Sequence, residues 1–195
     1  MDTTQRVTAE EYRRMVKQSE GKPADDKQRL RNTISSQRGR DFETAILQGC
    51  EYYKSIGRAA INKVNEPYIV TKRMDKGYFV GRHTGKAEPD FKGVLKGGRA
   101  VAFEAKSTQK SRIQKSALTP AQSDWLTEQD TLGAYTFVAV NIRDKCYNIP
   151  FIIWDRMKEI YDKKYLMPDD IKEYEVDYDG STVKFLDYTE KVKQI

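Results

Sequence analysis

Asp90, Glu104 and Lys106 are the residues of this chain whose types and spacing could do chemistry. Asp90 closes a Glu88-Pro89-Asp90 triplet and precedes a strand-like run, residues 91–95. Lys96-Gly97-Gly98-Arg99 follows, and then a second run, Ala100-Val101-Ala102-Phe103-Glu104-Ala105-Lys106. A Gly-Gly pair between two strand-like runs signals a short hairpin. In the second run side chains alternate, so Val101 and Phe103 share one face while Ala102, Glu104 and Lys106 share the other. A carboxylate and an ammonium then stand side by side, and hairpin pairing brings Asp90 toward them. Two carboxylates beside a lysine suit Mg²⁺, with a cation poised next to the water the ion would polarise. The same residues also suit an exposed hairpin carrying an ordinary ion pair, and spacing alone leaves both readings open.

The elements that must position these residues are legible in part. Thr8-Ala9-Glu10-Glu11 resembles a capping box, predicting a short helix through Tyr12, Met15 and Val16 that stops near Gly21. Residues 22–36 are polar and basic and contain Pro23, which predicts a mobile arm. Phe42, Ile46, Gly49, Tyr53 and Ile56 recur at helical spacing, predicting a helix over residues 38–57 with Gly57 as its stop. Asp41 and Glu43 then fall in its first turn, where the helix dipole favours negative charge. Glu43 becomes a third carboxylate for a metal or its water if this end of the helix abuts the hairpin.

Residues 68–72 and 77–81 read as two strands around Asp75-Lys76-Gly77. Their Lys72, Arg73, Lys76 and Arg82, interleaved with Tyr68, Tyr78 and Phe79, predict a projecting basic and aromatic finger suited to phosphates and unpaired bases, unless the aromatics are core. His83, the one histidine, is expected in a loop. Thr84-Gly85-Lys86 is expected to lead into the acidic hairpin and to donate to a phosphate. Beyond Lys106, residues 107–116 read as a mobile basic loop. Thr119-Pro120-Ala121-Gln122 is a helix start, with Thr as N-cap, Pro at the first position and Gln completing the box. Gln122 either caps or faces the site. Residues 135–140 read as a buried strand, residues 148–154 as another entered at Pro150, and residues 155–161 as a short helix. From residue 167 an acidic, tyrosine-rich tail reads as loop plus one strand at residues 182–186. The domain reading is a basic arm (1–37), a central domain (38–166) with a stalk at about 63–87, and an acidic tail (167–195).

Charge narrows the class of partner. Of 35 Lys/Arg and 29 Asp/Glu, residues 58–115 carry 14 and 5, a net of +9 against −3 elsewhere. The basic excess surrounds the acidic hairpin, and clustered cations gain by releasing counterions from a polyanion. Cys50 and Cys146 lack metal-type spacing and read as buried thiols of a reducing compartment. No signal-peptide core or membrane-length apolar run is seen, so the expectation is a cytoplasmic protein without a membrane partner.

Gly39-Arg40-Asp41-Phe42-Glu43, Ala60-Ile61-Asn62-Lys63, Thr84-Gly85-Lys86, Asp90-Phe91-Lys92-Gly93-Val94 and Phe103-Glu104-Ala105-Lys106 occur in that order. They resemble the RecU-type Holliday junction resolvases of the PD-(D/E)xK nuclease superfamily, over residues 39–142. The resemblance implies an α/β, restriction-endonuclease-like fold: a mixed β-sheet flanked by helices, with a projecting β-hairpin stalk. It implies that Asp90, Glu104 and the carbonyl of Ala105 ligate Mg²⁺, with Mn²⁺ as a substitute. Lys106 would orient or deprotonate the attacking water or stabilise the phosphate, and Glu43 would complete the acidic site. Arg40, Lys72, Arg73, Lys76, Arg82, Thr84, Lys86 and Gln122 would contact DNA. A homodimer is implied as well, because a four-way junction is resolved by two symmetric nicks, and the finger would enter the junction centre.

Ser107 stands where the family often has an acidic residue, and Ala121 where it often has histidine. Neither change touches the metal triplet, so they bear on how DNA docks. The N-terminal region and the acidic tail lie outside this resemblance, which suits a bacteriophage version of the family. Three functions follow: a resolvase, a restriction-type or phage DNA-processing nuclease on the same fold, and a non-catalytic DNA-binding module. The third has no use for three juxtaposed charges.

Overall fold

The computed structural model describes residue 10 and residues 26–65, 68–83 and 88–188. Apart from residue 10, the helix expected at residues 8–21 lies outside these, as do Thr84 and Lys86. Two compact units divide the chain at residues 33/34, 64/65 and 86/87.

The larger unit is a seven-stranded mixed sheet with helices on both faces, in the order β1-β4-β5-β7-β8-β10-β11. Its strands are β1 (Ala59–Lys63), β4 (Phe91–Leu95), β5 (Ala100–Thr108), β7 (Tyr135–Ile142), β8 (Lys145–Pro150), β10 (Glu175–Tyr178) and β11 (Val183–Tyr188). All neighbours are antiparallel except β5 and β7, which pair in parallel over eight residues. A parallel pair needs a crossover, and here it carries helix α2 (Pro120–Thr131). Helix α1 (Asp26–Ser55) sends Phe42, Ile46 and Tyr53 into the core on one face, against Phe91, Phe103, Phe137 and Phe185. The other face packs Val138, Val140 and Ile149 against Leu126 of α2 and against Phe151, Trp154 and Met157 of α3 (Phe151–Asp155) and α4 (Met157–Tyr161).

Register across the central strands is held by stacked rings. Phe91, Phe103 and Phe137 are direct cross-strand partners, with centroid separations of 4.9 and 4.2 Å. A one-residue slip would turn these rings off the core face, so the stack selects a single register. The β4–β5 turn runs through Gly97 and Gly98 at φ of 96° and 91°, a region that disfavours side chains.

Several expectations are corrected. Helix α1 begins at Asp26, so residues 26–37 are helix and not an arm. Asp41 and Glu43 therefore sit mid-helix, and Asp41 accepts from Gln37 Nε2 at 2.8 Å instead of capping. Residues 107–116 are tied down rather than mobile: Ile113 is buried, and β6 (Ile113–Gln114) pairs with β9 (Tyr165–Leu166). The strand expected over residues 148–154 stops at Pro150, where a helix starts. Phe151, Trp154 and Met157 fall at helical spacing and all three are buried. The tail supplies two strands, β10 and β11, to the main sheet.

The smaller unit contains a separate two-stranded sheet, β2 (Tyr68–Arg73) and β3 (Phe79–His83), as the finger reading expects. His83 ends β3 and is not in a loop. Its turn includes Lys76 at φ 61°. Tyr78 and Phe79 are exposed, so they are not core.

Candidate active site

The β4–β5 hairpin brings two carboxylates and an ammonium together on the face covered by α2. Alternation along β5 sends Phe103 into the aromatic core and Glu104 and Lys106 to the other side. Asp90 stands one residue ahead of β4, and Phe91 is paired with Phe103. Its Oδ2 accepts a hydrogen bond from the Ala105 main-chain N–H at 2.8 Å. That bond crosses from one arm of the hairpin to the other and anchors Asp90 beside Glu104.

Glu104 is fully buried, at 0% exposure. Its Oε2 accepts from Lys106 Nζ at 2.9 Å and from Gln122 Nε2 at 2.7 Å. Its Oε1 is buried without a hydrogen-bond donor. Burial, and next the negative charge of Asp90, push the Glu104 carboxyl from 4.5 to about 7, against the opposing pull of Lys106. A shared proton would let Asp90 and Glu104 hydrogen-bond to each other; with both ionised, Oε1 faces like charge and no donor.

That orphaned oxygen is the observation on which a metal fits. Among the described residues no group of three or more His, Cys, Asp and Glu side chains is placed to hold an ion. Mg²⁺ does not need one, since it commonly keeps several waters and takes only one or two carboxylates. Asp90 and Glu104 are two such carboxylates side by side, and the Ala105 carbonyl lies between Glu104 and Lys106 in the chain.

The other expected site residues are dispersed. Glu43 pairs with Lys63, at the end of β1 on the α1 side of the sheet, and is not grouped with Asp90 and Glu104. Lys63 is the partner that sequence reading missed; a contact between residues 43 and 63 has no local signal. Arg40 is exposed on α1 and donates to Gln37 Oε1 at 3.1 Å. Lys72, Arg73, Lys76 and Arg82 belong to the β2–β3 hairpin unit, where Arg73, Lys76, Tyr78 and Phe79 help line a cavity of about 470 Å³. Gln122 does both things its position allowed, capping α2 and reaching Glu104. No described helix is long and apolar enough to cross a membrane.

The family model described as RecU: Recombination protein U matches residues 37–194. No curated protein matches the chain. Among solved structures, the 1.6 Å structure of Archaeoglobus fulgidus Hjc, a Holliday junction resolvase from an archaeal hyperthermophile, is similar over 53% of this chain and 74% of that one, with 16% sequence identity and a TM-score of 0.35.

Proposed function

The chain belongs to the recombination protein U family, and from that premise we propose that it is a Mg²⁺-dependent endonuclease that resolves Holliday junctions by paired symmetric nicks. The observation that carries the metal-dependent part is Glu104 Oε1, buried and donorless beside a second carboxylate. Asp90 and Glu104 hold the cation, with the Ala105 carbonyl as a further ligand and Mn²⁺ as a substitute. The ion supplies Lewis acidity toward the phosphate and a lowered pKa for water.

The chain's own residues do the rest. The Ala105 N–H and the Gln122 amide hold the two carboxylates in place, so little reorganisation accompanies the reaction. Lys106, its Nζ held against Glu104 Oε2, presents positive charge where the phosphate gains negative charge. Glu43, tied to Lys63 on the α1 side of the sheet, stands outside the cation's ligands in this reading. In the hairpin unit, Lys72, Arg73, Lys76 and Arg82 with exposed Tyr78 and Phe79 offer phosphate contacts and stacking faces to branched DNA. Arg40, Thr84 and Lys86 are further DNA contacts in this reading. Two nicks of opposite strands call for two sites, hence a homodimer. The protein works in the compartment that holds the DNA, which we take to be the cytoplasm.

The test is a Mg²⁺-dependent assay on immobile four-way junctions, linear duplex, flap and single strand, with Asp90→Asn as control. Junctions are expected to be nicked in symmetric pairs and to outcompete duplex, and Asp90→Asn is expected to bind them without cutting. Equal cleavage of duplex and junction would replace the resolvase by a general or restriction-type nuclease. Failure to nick any DNA form with Mg²⁺ would leave a binding module.

A further inference from the structure

The amide of Gln122 has only one orientation open to it. Its Oε1 accepts from the Thr119 main-chain N–H at 3.0 Å, while Thr119 Oγ1 accepts from the Gln122 N–H at 3.3 Å, the two halves of a capping box. The amide NH₂ must then point away from the cap, and it donates to Glu104 Oε2 at 2.7 Å. A flipped amide would set NH₂ against the Thr119 N–H and oxygen against the Glu104 carboxylate, losing both bonds. Lys106 Nζ donates to the same Oε2, so one oxygen of the buried carboxylate takes two donors and the other takes none. Asp90 is also held by one oxygen, its Oδ2 accepting from the Ala105 N–H.

We propose that Gln122 is a positioning residue that, oriented by the cap of α2, reserves Oε1 of Glu104 for the divalent cation. This rests on the metal-dependent reading above. The terminal torsion of a glutamate is soft, and Lys106 sits on a flexible stem, so the ammonium alone can follow either oxygen. The amide is carried by a helix and braced at its other end. It therefore decides which oxygen is occupied before an ion arrives, and spares the site that reorganisation.

Calorimetric titration of Mn²⁺ into metal-free wild type, Gln122→Ala and Thr119→Ala, with thermal unfolding of each in EDTA, separates positioning from capping. Each substitution removes one half of the cap, so both lower the unfolding temperature. Thr119→Ala keeps the main-chain N–H that orients the amide, whereas Gln122→Ala removes the donor. Gln122→Ala is expected to weaken Mn²⁺ binding by about 10- to 100-fold, the usual effect of losing a group that orients a ligand. Thr119→Ala is expected to leave it unchanged. Mn²⁺ binding that survives intact in Gln122→Ala, or that falls equally in both variants, overturns the positioning role while the metal site stands. A wild-type protein that binds no Mn²⁺ removes the metal site, and this role with it.

Discussion

Replacing Glu104 by Gln should make the metal-free protein more stable at neutral to alkaline pH while abolishing its proposed activity. The Glu104 carboxyl is pushed from 4.5 to about 7 by burial and by the neighbouring Asp90 charge. The fold therefore prefers the protonated acid. Below 4.5 both folded and unfolded chains hold the proton and the site costs nothing. Between 4.5 and about 7 only the folded chain holds it, so stability falls as pH rises, and above 7 the full cost is present. At 1.36 kcal/mol per pH unit that cost is about 3 kcal/mol, or about 6–12 °C in unfolding temperature for a chain of this size. Glutamine cannot ionise, its carbonyl still accepts from Lys106 and Gln122, and its NH₂ can donate toward Asp90. Urea unfolding in EDTA across this pH range should show a falling limb in wild type that the variant lacks, with the curves meeting at acid pH. Saturating Mg²⁺ should then stabilise wild type and not the variant, because a cation offsets the charge that the fold alone leaves uncompensated. A variant that is no more stable than wild type at about pH 8, or one with the same falling limb, would refute the reasoning.

Gly93→Ala should destabilise the protein by about 2–3 kcal/mol, since a Cβ there overlaps the Ala60 carbonyl oxygen where β1 and β4 approach. An unchanged urea midpoint would contradict that close approach. Tyr78→Ala should leave stability within about 0.5 kcal/mol, as the side chain is exposed. The same variant should weaken junction binding by about tenfold, since stacking is worth about 1–3 kcal/mol per base; equal binding in a gel-shift titration would remove Tyr78 from the interface. Lys106→Met should cut the nicking rate by about 10²–10³-fold with junction affinity nearly unchanged, and loss of binding alone would assign Lys106 to substrate capture.

The convergence of Asp90, Glu104 and Lys106 was legible because it is local. One hairpin, one Gly-Gly turn and a period of two settle which side chains share a face. The cap at Thr119 was legible for the same reason, and its glutamine reaches the site only because β5 and β7 are parallel and α2 crosses between them. What the sequence hid was mostly non-local. Residues 26–37 are too polar to show an apolar stripe, yet a helix already paid for downstream propagates into them at little cost. Strands β10 and β11 are short, and β10 is held by pairing with β8 some 25 residues away in sequence, a contact composition cannot show. Two signals are present in the sequence itself: Ile113 and Leu118, both buried, anchor the segment that reads as a basic loop, and Phe151, Trp154 and Met157 keep helical spacing through a run that reads as strand.

Stability and chemistry occupy alternate positions of the same strands. Phe91, Phe103 and Phe137 hold the register through ring contacts, each pair worth about 0.5–1.5 kcal/mol beyond its buried area. Asp90 and Glu104, each one residue from a ring of that stack, inherit their positions from it, although the closeness of two carboxylates opposes folding. A slip of one residue would exchange the two sets, turning the rings toward α2 and the carboxylates into the aromatic core. The chain guards against that slip three times over: in the Gly97-Gly98 turn, in the contact of Gly93 with β1, and in the stack itself. Two carboxylates that repel are therefore kept together by apolar neighbours on the opposite face of the same strands, and the proposed cation would complete an arrangement that the aromatic core has already imposed.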